Sequence, residues 1–307
     1  MTSINTNRAA MTALASLNMT SAKLDATQQR ISTGLSVNSA TDNAAYWSIA
    51  TTMKSDNSSL STVKDALGLG SATVDVSYTA LNSAIGITQQ IKDKLVAARQ
   101  PGVDRTKIQA EVTQLQDQLK SIADSANFSG ENWLSVDSAN PGYNATKTIV
   151  SSFQRGATGV QIQTIGFDGN SSKLFDKANQ SGILDKTYTT VNGNVAYSVS
   201  TLNISALTSS AADNKDLEQM IGTVDSSLNA MTNSAADLGA LKTRIDSQTS
   251  FIKSLMDAIT RGVGSLVDAD MSEESTKLQA LQVQQQLGTQ ALGIANQSSQ
   301  SILSLFK

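Results

Sequence analysis

The chain has 307 residues, a formal net charge of -3, 39% apolar and only 4% aromatic residues, and neither cysteine nor histidine. That length allows two or three domains. The missing cysteines exclude disulfides, thiolate zinc sites and cysteine nucleophiles, and the missing histidines remove Ser-His-Asp triads and the commonest general base. No cofactor, metal or enzymatic activity is expected. Scattered Lys and Arg give no reason to expect nucleic acid binding.

The first predicted element is a weak helix. Ala10, Leu17, Leu24 and Ile31 recur every seven residues, with Leu14 and Leu35 interleaved and polar Ser21 and Gln28 at other seam positions. Gly34, Ser36, Asn38 and Ser39 interrupt it. Residues 29–50 therefore form a joint, where Asn38 or Ser39 can cap the helix that follows. Trp47, just past the interruption, can anchor that helix against its own subunit or the next. A stronger 3/4 spacing runs through Leu60, Leu67, Val74, Leu81, Ile91 and Leu95. It predicts a helix from about Ala44 to Arg99, roughly 80 Å long at ~1.5 Å per residue. Pro101-Gly102 stops it. A third helix carries Ile108, Val112, Leu115, Leu119, Ile122 and Ala126.

From Phe128 to about Ser210, Gly, Asn and Ser punctuate short runs. Residues 148–150 and 160–165 are expected as strands around a turn at 154–159. Residues 188–191 and 195–199 flank Asn192-Gly193-Asn194, a strong hairpin signal.

Helical spacing then resumes from Leu217 to Leu266, with thirteen apolar residues at fifteen seam positions, too many for chance. Gly262, Gly264 and Asp268-Ala269-Asp270 are expected to break it. A last helix carries Leu278, Leu281, Gly288, Leu292, Ala295, Ile302 and Phe306. Asp268, Asp270, Glu273 and Glu274 could hold a cation, but capping by Asp270 or Ser272 is the simpler reading.

The fold class is mainly α with a small β part: a long antiparallel helical bundle or coiled coil from both chain ends, with β-hairpins and a short insert between. The terminal helices carry more apolar residues than one seam needs: Met11, Leu14, Leu17, Met19 and Leu24 at one end, and Leu287, Leu292, Ile294, Ile302, Leu303, Leu305 and Phe306 at the other. Surplus apolar surface predicts association with other copies, and head-to-tail contacts that do not close give a helical filament. No apolar run approaches the roughly 20 residues of a membrane span. Residues 1–16 lack the charged and apolar regions of a signal peptide. The expectation is a cytoplasmic chain or export without a cleaved signal.

Several ordered elements resemble bacterial flagellin: Ile4-Asn5-Thr6-Asn7, the whole of residues 29–50, Ala235-Ala236-Asp237-Leu238-Gly239-Ala240, Val267-Asp268-Ala269-Asp270, Gln284-Gln285-Gln286-Leu287-Gly288-Thr289, Ala295-Asn296-Gln297 and Ile302-Leu303-Ser304-Leu305. The tyrosine, tryptophan and Ser/Leu departures and the short insert are similar to flagellins of rhizobial type. The resemblance implies a terminal helical domain of residues 1–44 and 267–307 lining the filament tube. It implies an inner-shell helical bundle with β-hairpins over 45–170 and 210–266, and a short variable outer insert over 171–209. It further implies a motility filament outside the cell, built of many copies, possibly with other flagellins, and without membrane insertion. Unfolded export by the flagellar type III system would involve an export chaperone and gate, and hook-associated junction and cap proteins would be partners. Assembly would rest on Leu14, Leu17, Leu24, Ile31, Leu287, Leu292, Ile294, Ile302, Leu305 and Phe306. Gly34, Asn38, Trp47, Asp268 and Asp270 would form the domain joint. A hook–filament junction protein, with similar helical ends, is the alternative.

The family also carries two segments sensed by immune receptors. The segment for the vertebrate Toll-like receptor maps onto Gln89, Gln90, Ile91, Lys92, Asp93 and Lys94, with Glu111 retained. Gln90 stands where the family has Arg, and Lys94 where it has Leu. Loss of a guanidinium and an apolar anchor implies escape from that receptor. The plant-receptor segment is altered at Leu35, Ser36, Thr41, Asn43, Tyr46 and Trp47 and keeps Asp42, which implies poor perception there too.

Overall fold

The computed structural model describes residues 6–156 and 159–304. Among them five helices form: α1 (Arg8–Thr33), α2 (Ala44–Ala97), α3 (Arg105–Ser125), α4 (Ala211–Val267) and α5 (Met271–Ser304). Eight strands lie between α3 and α4: β1 (Asn127–Phe128), β2 (Glu131–Asn132), β3 (Ser135–Val136), β4 (Thr146–Gly156), β5 (Gly159–Asp168), β6 (Phe175–Asp176), β7 (Tyr188–Thr189) and β8 (Ala196–Tyr197). They form two-stranded sheets only. The pairs β1–β2, β4–β5 and β7–β8 are antiparallel, and β3–β6 is parallel. Helical ends thus flank a small strand-bearing middle, the fold class the periodicity predicts.

The helices run long because no proline interrupts them, and each needs a starter for its unpaired N–H groups. Asn7 Oδ1 accepts from Ala10 N at 3.0 Å, and Asp104 Oδ1 from Thr106 N at 3.0 Å. Asp270 Oδ1 accepts from Ser272 N at 2.9 Å and Glu273 N at 3.2 Å. Neither Asn38 nor Ser39 caps α2. Their own backbone N–H groups donate to Asp42 Oδ2 at 3.1 and 2.9 Å. The cap is Asn43, whose Oδ1 accepts from Ala45 N at 3.1 Å and Tyr46 N at 3.2 Å.

Three boundaries differ from expectation. Gly262 and Gly264 do not break α4, which continues to Val267. Gly264 instead makes room, since a Cβ there would lie 2.6 Å from Asp268 Oδ2. Gln154 and Arg155 belong to strand β4 rather than to a turn, because β4 pairs with β5 out to Gly156 opposite Gly159. The β7–β8 strands are shorter than their apolar runs.

The chain divides into two compact units, Met1–Ser58 with Met256–Lys307, and Ser59–Leu255. In the second, Leu67, Leu81, Ile91 and Leu95 of α2, Val112 and Leu119 of α3, and Leu217, Val224, Met231, Leu238 and Ile245 of α4 are wholly buried. Ser77 and Thr88 interrupt this seam harmlessly. Their hydroxyls donate to the carbonyls of Thr73 at 2.9 Å and Ala84 at 2.8 Å, one turn back. Residues 171–209 fall inside this unit and contribute the buried Leu174, Leu184, Leu202 and Ile204. Side chains of α3 hold them. Gln109 accepts from Ile204 N at 2.8 Å and donates to Leu202 O at 3.2 Å, and Gln116 donates to Val199 O at 3.0 Å. Arg105 spreads its guanidinium over Ala98 O, Thr208 O and Asn214 Oδ1, at 3.1, 2.6 and 2.8 Å.

Candidate assembly surface

The other unit pairs α1 with α5. Asn7 Nδ2 donates to Ala295 O at 2.9 Å near one end, and Arg30 Nη1 to Glu274 Oε1 at 3.3 Å near the other, so the helices are antiparallel. Leu24 and Thr27 are buried in the seam, and Leu17 and Ile31 are half-buried. Glu274 is 5% exposed. Burial pushes its carboxyl pKa up, but hydrogen bonds from Lys277 and Arg30 outweigh this and hold it below the ordinary carboxylate value. Lys277 also binds Glu273 at 2.8 Å.

The two interruptions of the helices meet. Gly34 ends α1 at φ +72°, a left-handed conformation open to glycine at little cost, and donates its N–H to Arg30 O at 2.8 Å. Beyond it, Leu35 and Asp268 form an antiparallel bridge. Ser36 donates its N–H to Val267 O at 2.7 Å and its hydroxyl to the same oxygen at 3.2 Å, while Ala269 N donates to Gly34 O at 2.9 Å. Ala50, Val263 and Val267 make a small core beneath, covered by Leu35, Val37, Met53, Ile259 and Leu266. Of the residues assigned to the joint from sequence, Gly34, Asp268 and Asp270 lie where the two segments pair, with Asp270 capping α5. Asn38 and Trp47 are exposed and outside that core, Trp47 being 39% exposed. Val37 and Val267 were missed. An apolar residue alone in a polar stretch was the only signal for Val37.

The seam leaves much apolar surface uncovered. Met11, Leu14, Met19, Val283, Leu287 and Ile294 are 47–70% exposed, and Tyr46, Ile49 and Met271 are also exposed. Leu292 is half-buried. The side chain of Ile302, and Leu305 and Phe306, lie outside the described residues, as do Ile4 and Asn5. In the receptor-equivalent segments, Ile91 is core while Gln89, Gln90 and Asp93 are exposed. Lys92 pairs with Asp225 and Lys94 with Glu111, each at 2.5 Å. Thr41, Asp42, Tyr46 and Trp47 are exposed, Asn43 is the α2 cap, and Leu35 and Ser36 are committed to the joint. Hydrogen bonds from Ser39, led by its backbone N–H, lower the Asp42 carboxyl pKa.

Paired helices with this much uncovered apolar surface fit the class of structural subunits that associate with other copies. Among the described residues no helix is long and apolar enough to cross a membrane. Residues 4–139 match the bacterial flagellin N-terminal helical region, and residues 221–306 the bacterial flagellin C-terminal helical region. The chain belongs to the bacterial flagellin family. It is 50% identical to Flagellin C of Rhizobium meliloti (strain 1021) and 43% identical to Flagellin A of Rhizobium meliloti, each match covering all of both chains. It is 42% identical to a flagellin of Brucella melitensis biotype 1, again over the whole of both. The alignment with Flagellin A runs over 397 positions against 307 residues here, so that relative carries residues with no counterpart in this chain. Family membership makes the chain a non-enzymatic structural subunit of the flagellar filament, which polymerises from many copies, and its homologues form that filament outside the cell.

Proposed function

We propose that this flagellin polymerises through the outward faces of α1 and α5 and reaches the filament tip by unfolded export through the flagellar type III system. The observation that carries the reading is the row of exposed Met, Leu, Val and Ile side chains outside the α1–α5 seam. In water such a surface is a liability; between copies it drives association. Leu14, Leu287 and Ile294 lie on that outward face, and Leu17, Leu24, Ile31 and Leu292 hold the pair together. Ile302, Leu305 and Phe306 extend the assembly set beyond the described side chains. Residues 1–44 with 267–307 line the tube, 45–170 with 210–266 form the inner shell, and 171–209 is the reduced outer segment. A chain without cysteine suits threading, since no disulfide has to be undone. Export chaperone and gate, hook-associated junction and cap proteins, and other flagellins are the partners of this scheme. Trp47 anchors the start of α2 against a neighbouring copy. The hook–filament junction reading is not favoured, because both matched regions and the full-length relatives are flagellins. Purified chain added to sheared filament seeds tests this: it elongates them, and failure to do so overturns the reading.

We also infer that the altered receptor segments make this flagellin a poor ligand for both receptors. Gln90 offers an amide where the family offers a guanidinium, and the ammonium of Lys94 is taken up by Glu111. A receptor reporter assay and a peptide of residues 29–50 on plant tissue check it; full responses at low doses would sink it.

A further inference from the structure

The β7–β8 turn carries Asn192-Gly193, the dipeptide most open to spontaneous loss of its side-chain amide, because glycine lets the following backbone nitrogen reach the Asn carbon. Asn192 is exposed to water. Yet the reacting groups are held. Asp216, on α4 and 2% exposed, accepts from Gly193 N at 2.9 Å with one carboxylate oxygen. With the other it accepts from Asn192 N at 3.1 Å and Asn192 Nδ2 at 3.0 Å. Ala212 O takes the Nδ2 group as well, at 3.3 Å. The site is tight: a Cβ on Gly193 would lie 3.1 Å from Asp216 Oδ2 and 3.3 Å from Thr190 Oγ1.

We propose that Asn192 is a deamidation site held in check by Asp216, and that its conversion releases the tip of the hairpin. In the reaction, the Gly193 nitrogen loses its proton to solvent base and bonds to Asn192 Cγ. The Cγ–Nδ2 bond breaks, ammonia leaves, and a five-membered imide remains. Water then opens the imide to aspartate or isoaspartate. No oxidant or reductant is needed. The Asp216 carboxylate opposes the first step twice: it occupies the N–H that must be lost, and its charge disfavours a developing nitrogen anion beside it. It also anchors the leaving amide. The product reverses the arrangement. A carboxylate then faces Asp216 where Nδ2 donated, and like charges at hydrogen-bond distance repel. The clamp between the tip of the turn and Asp216 is lost, leaving the hairpin tied to α4 through Gln219, which accepts from Val191 N at 3.1 Å and donates to Thr189 O at 3.0 Å.

The test follows the Asn192-Gly193 peptide by mass spectrometry after incubating the full-length chain at mildly alkaline pH, once folded and once in urea. The folded chain deamidates about tenfold or more slowly, the factor that goes with one hydrogen bond to a charged group. A folded rate equal to or above the unfolded one overturns the proposal and makes Asp216 a promoter rather than a guard. Folded Asp216→Asn, its helix content checked by circular dichroism, moves toward the unfolded rate; full retention of protection in that variant also overturns it. If Asp216→Asn does not fold, Asp216→Glu, which displaces the charge, is read against the same two outcomes. Asn192→Asp, the product itself, speeds amide exchange of Thr190 and Tyr197, and unchanged exchange refutes release of the hairpin tip.

Discussion

Glu274 shows how one buried carboxylate ties two helices distant in sequence. Arg30 reaches it from α1 and Lys277 from its own helix, and the folded pKa lies below the unfolded one. A lowered pKa means the folded state favours the charged form. The stabilisation is therefore present above the ordinary carboxylate range and is lost as pH falls through the folded value. Acidification below the usual Glu range is expected to loosen the α1–α5 pair, seen as faster amide exchange around Leu24. In Glu274→Gln that acid-dependent step shrinks, because the titrating group is gone; an unchanged step assigns it elsewhere. Asn43 is a second decisive residue. Asn43→Ala removes the acceptor for two N–H groups at the start of α2 and is expected to cost about 1 kcal/mol, measured by denaturant unfolding, while Asn43→Asp keeps the cap. Asn38 and Ser39 read as caps because Asn and Ser cap about equally well in isolation. Position decided the matter: Asn43 directly precedes Ala44, the first residue of α2, while Asn38 and Ser39 lie in an earlier turn held by Asp42.

At the scale of elements, polar side chains on α3 do what the apolar seam cannot. Gln109 and Gln116 are buried, and each finds main-chain partners in residues 199–204. A buried amide without such partners is costly, so these clips also fix the path of the segment. Arg105 has the same role with three acceptors on two other segments. Lysine cannot span them, since it lacks the planar fork. Arg105→Lys is expected to lower stability by roughly 2 kcal/mol, with only part of the Arg105→Ala loss rescued, read by thermal unfolding. A full rescue would show that charge alone suffices. Helical spacing made the apolar face of α3 legible but did not single out Gln109 or Gln116. Their partners lie 83 and 95 residues onward, and nothing local marks them.

At the scale of the whole molecule, the α1–α5 seam and the proposed assembly surface use different residues of the same two helices. Leu24 is buried between α1 and α5, whereas Leu287 and Ile294 are exposed on α5. Leu287→Ser with Ile294→Ser is expected to leave the monomer's unfolding within about 0.5 kcal/mol while slowing seeded elongation at least several-fold. Turbidity or electron microscopy of seeded growth reads this. Normal elongation by the double variant moves the assembly surface elsewhere.

The long helices, the strand-bearing middle and the surplus of apolar residues at both ends were all determined by the sequence itself. Each is a local matter: proline placement, 3/4 spacing, period-two alternation and residue counts act within a few turns of chain. Only the tertiary structure decided that the two interruptions meet. Leu35 pairs with Asp268, Val37 packs over Val263 and Val267, and Ser36 bonds to Val267 across 231 residues of chain. The N–H and C=O groups left free where a helix stops must find partners, and the partners available were those of the other helix's own break. That pairing turns two weak points in the sequence into one stitched joint.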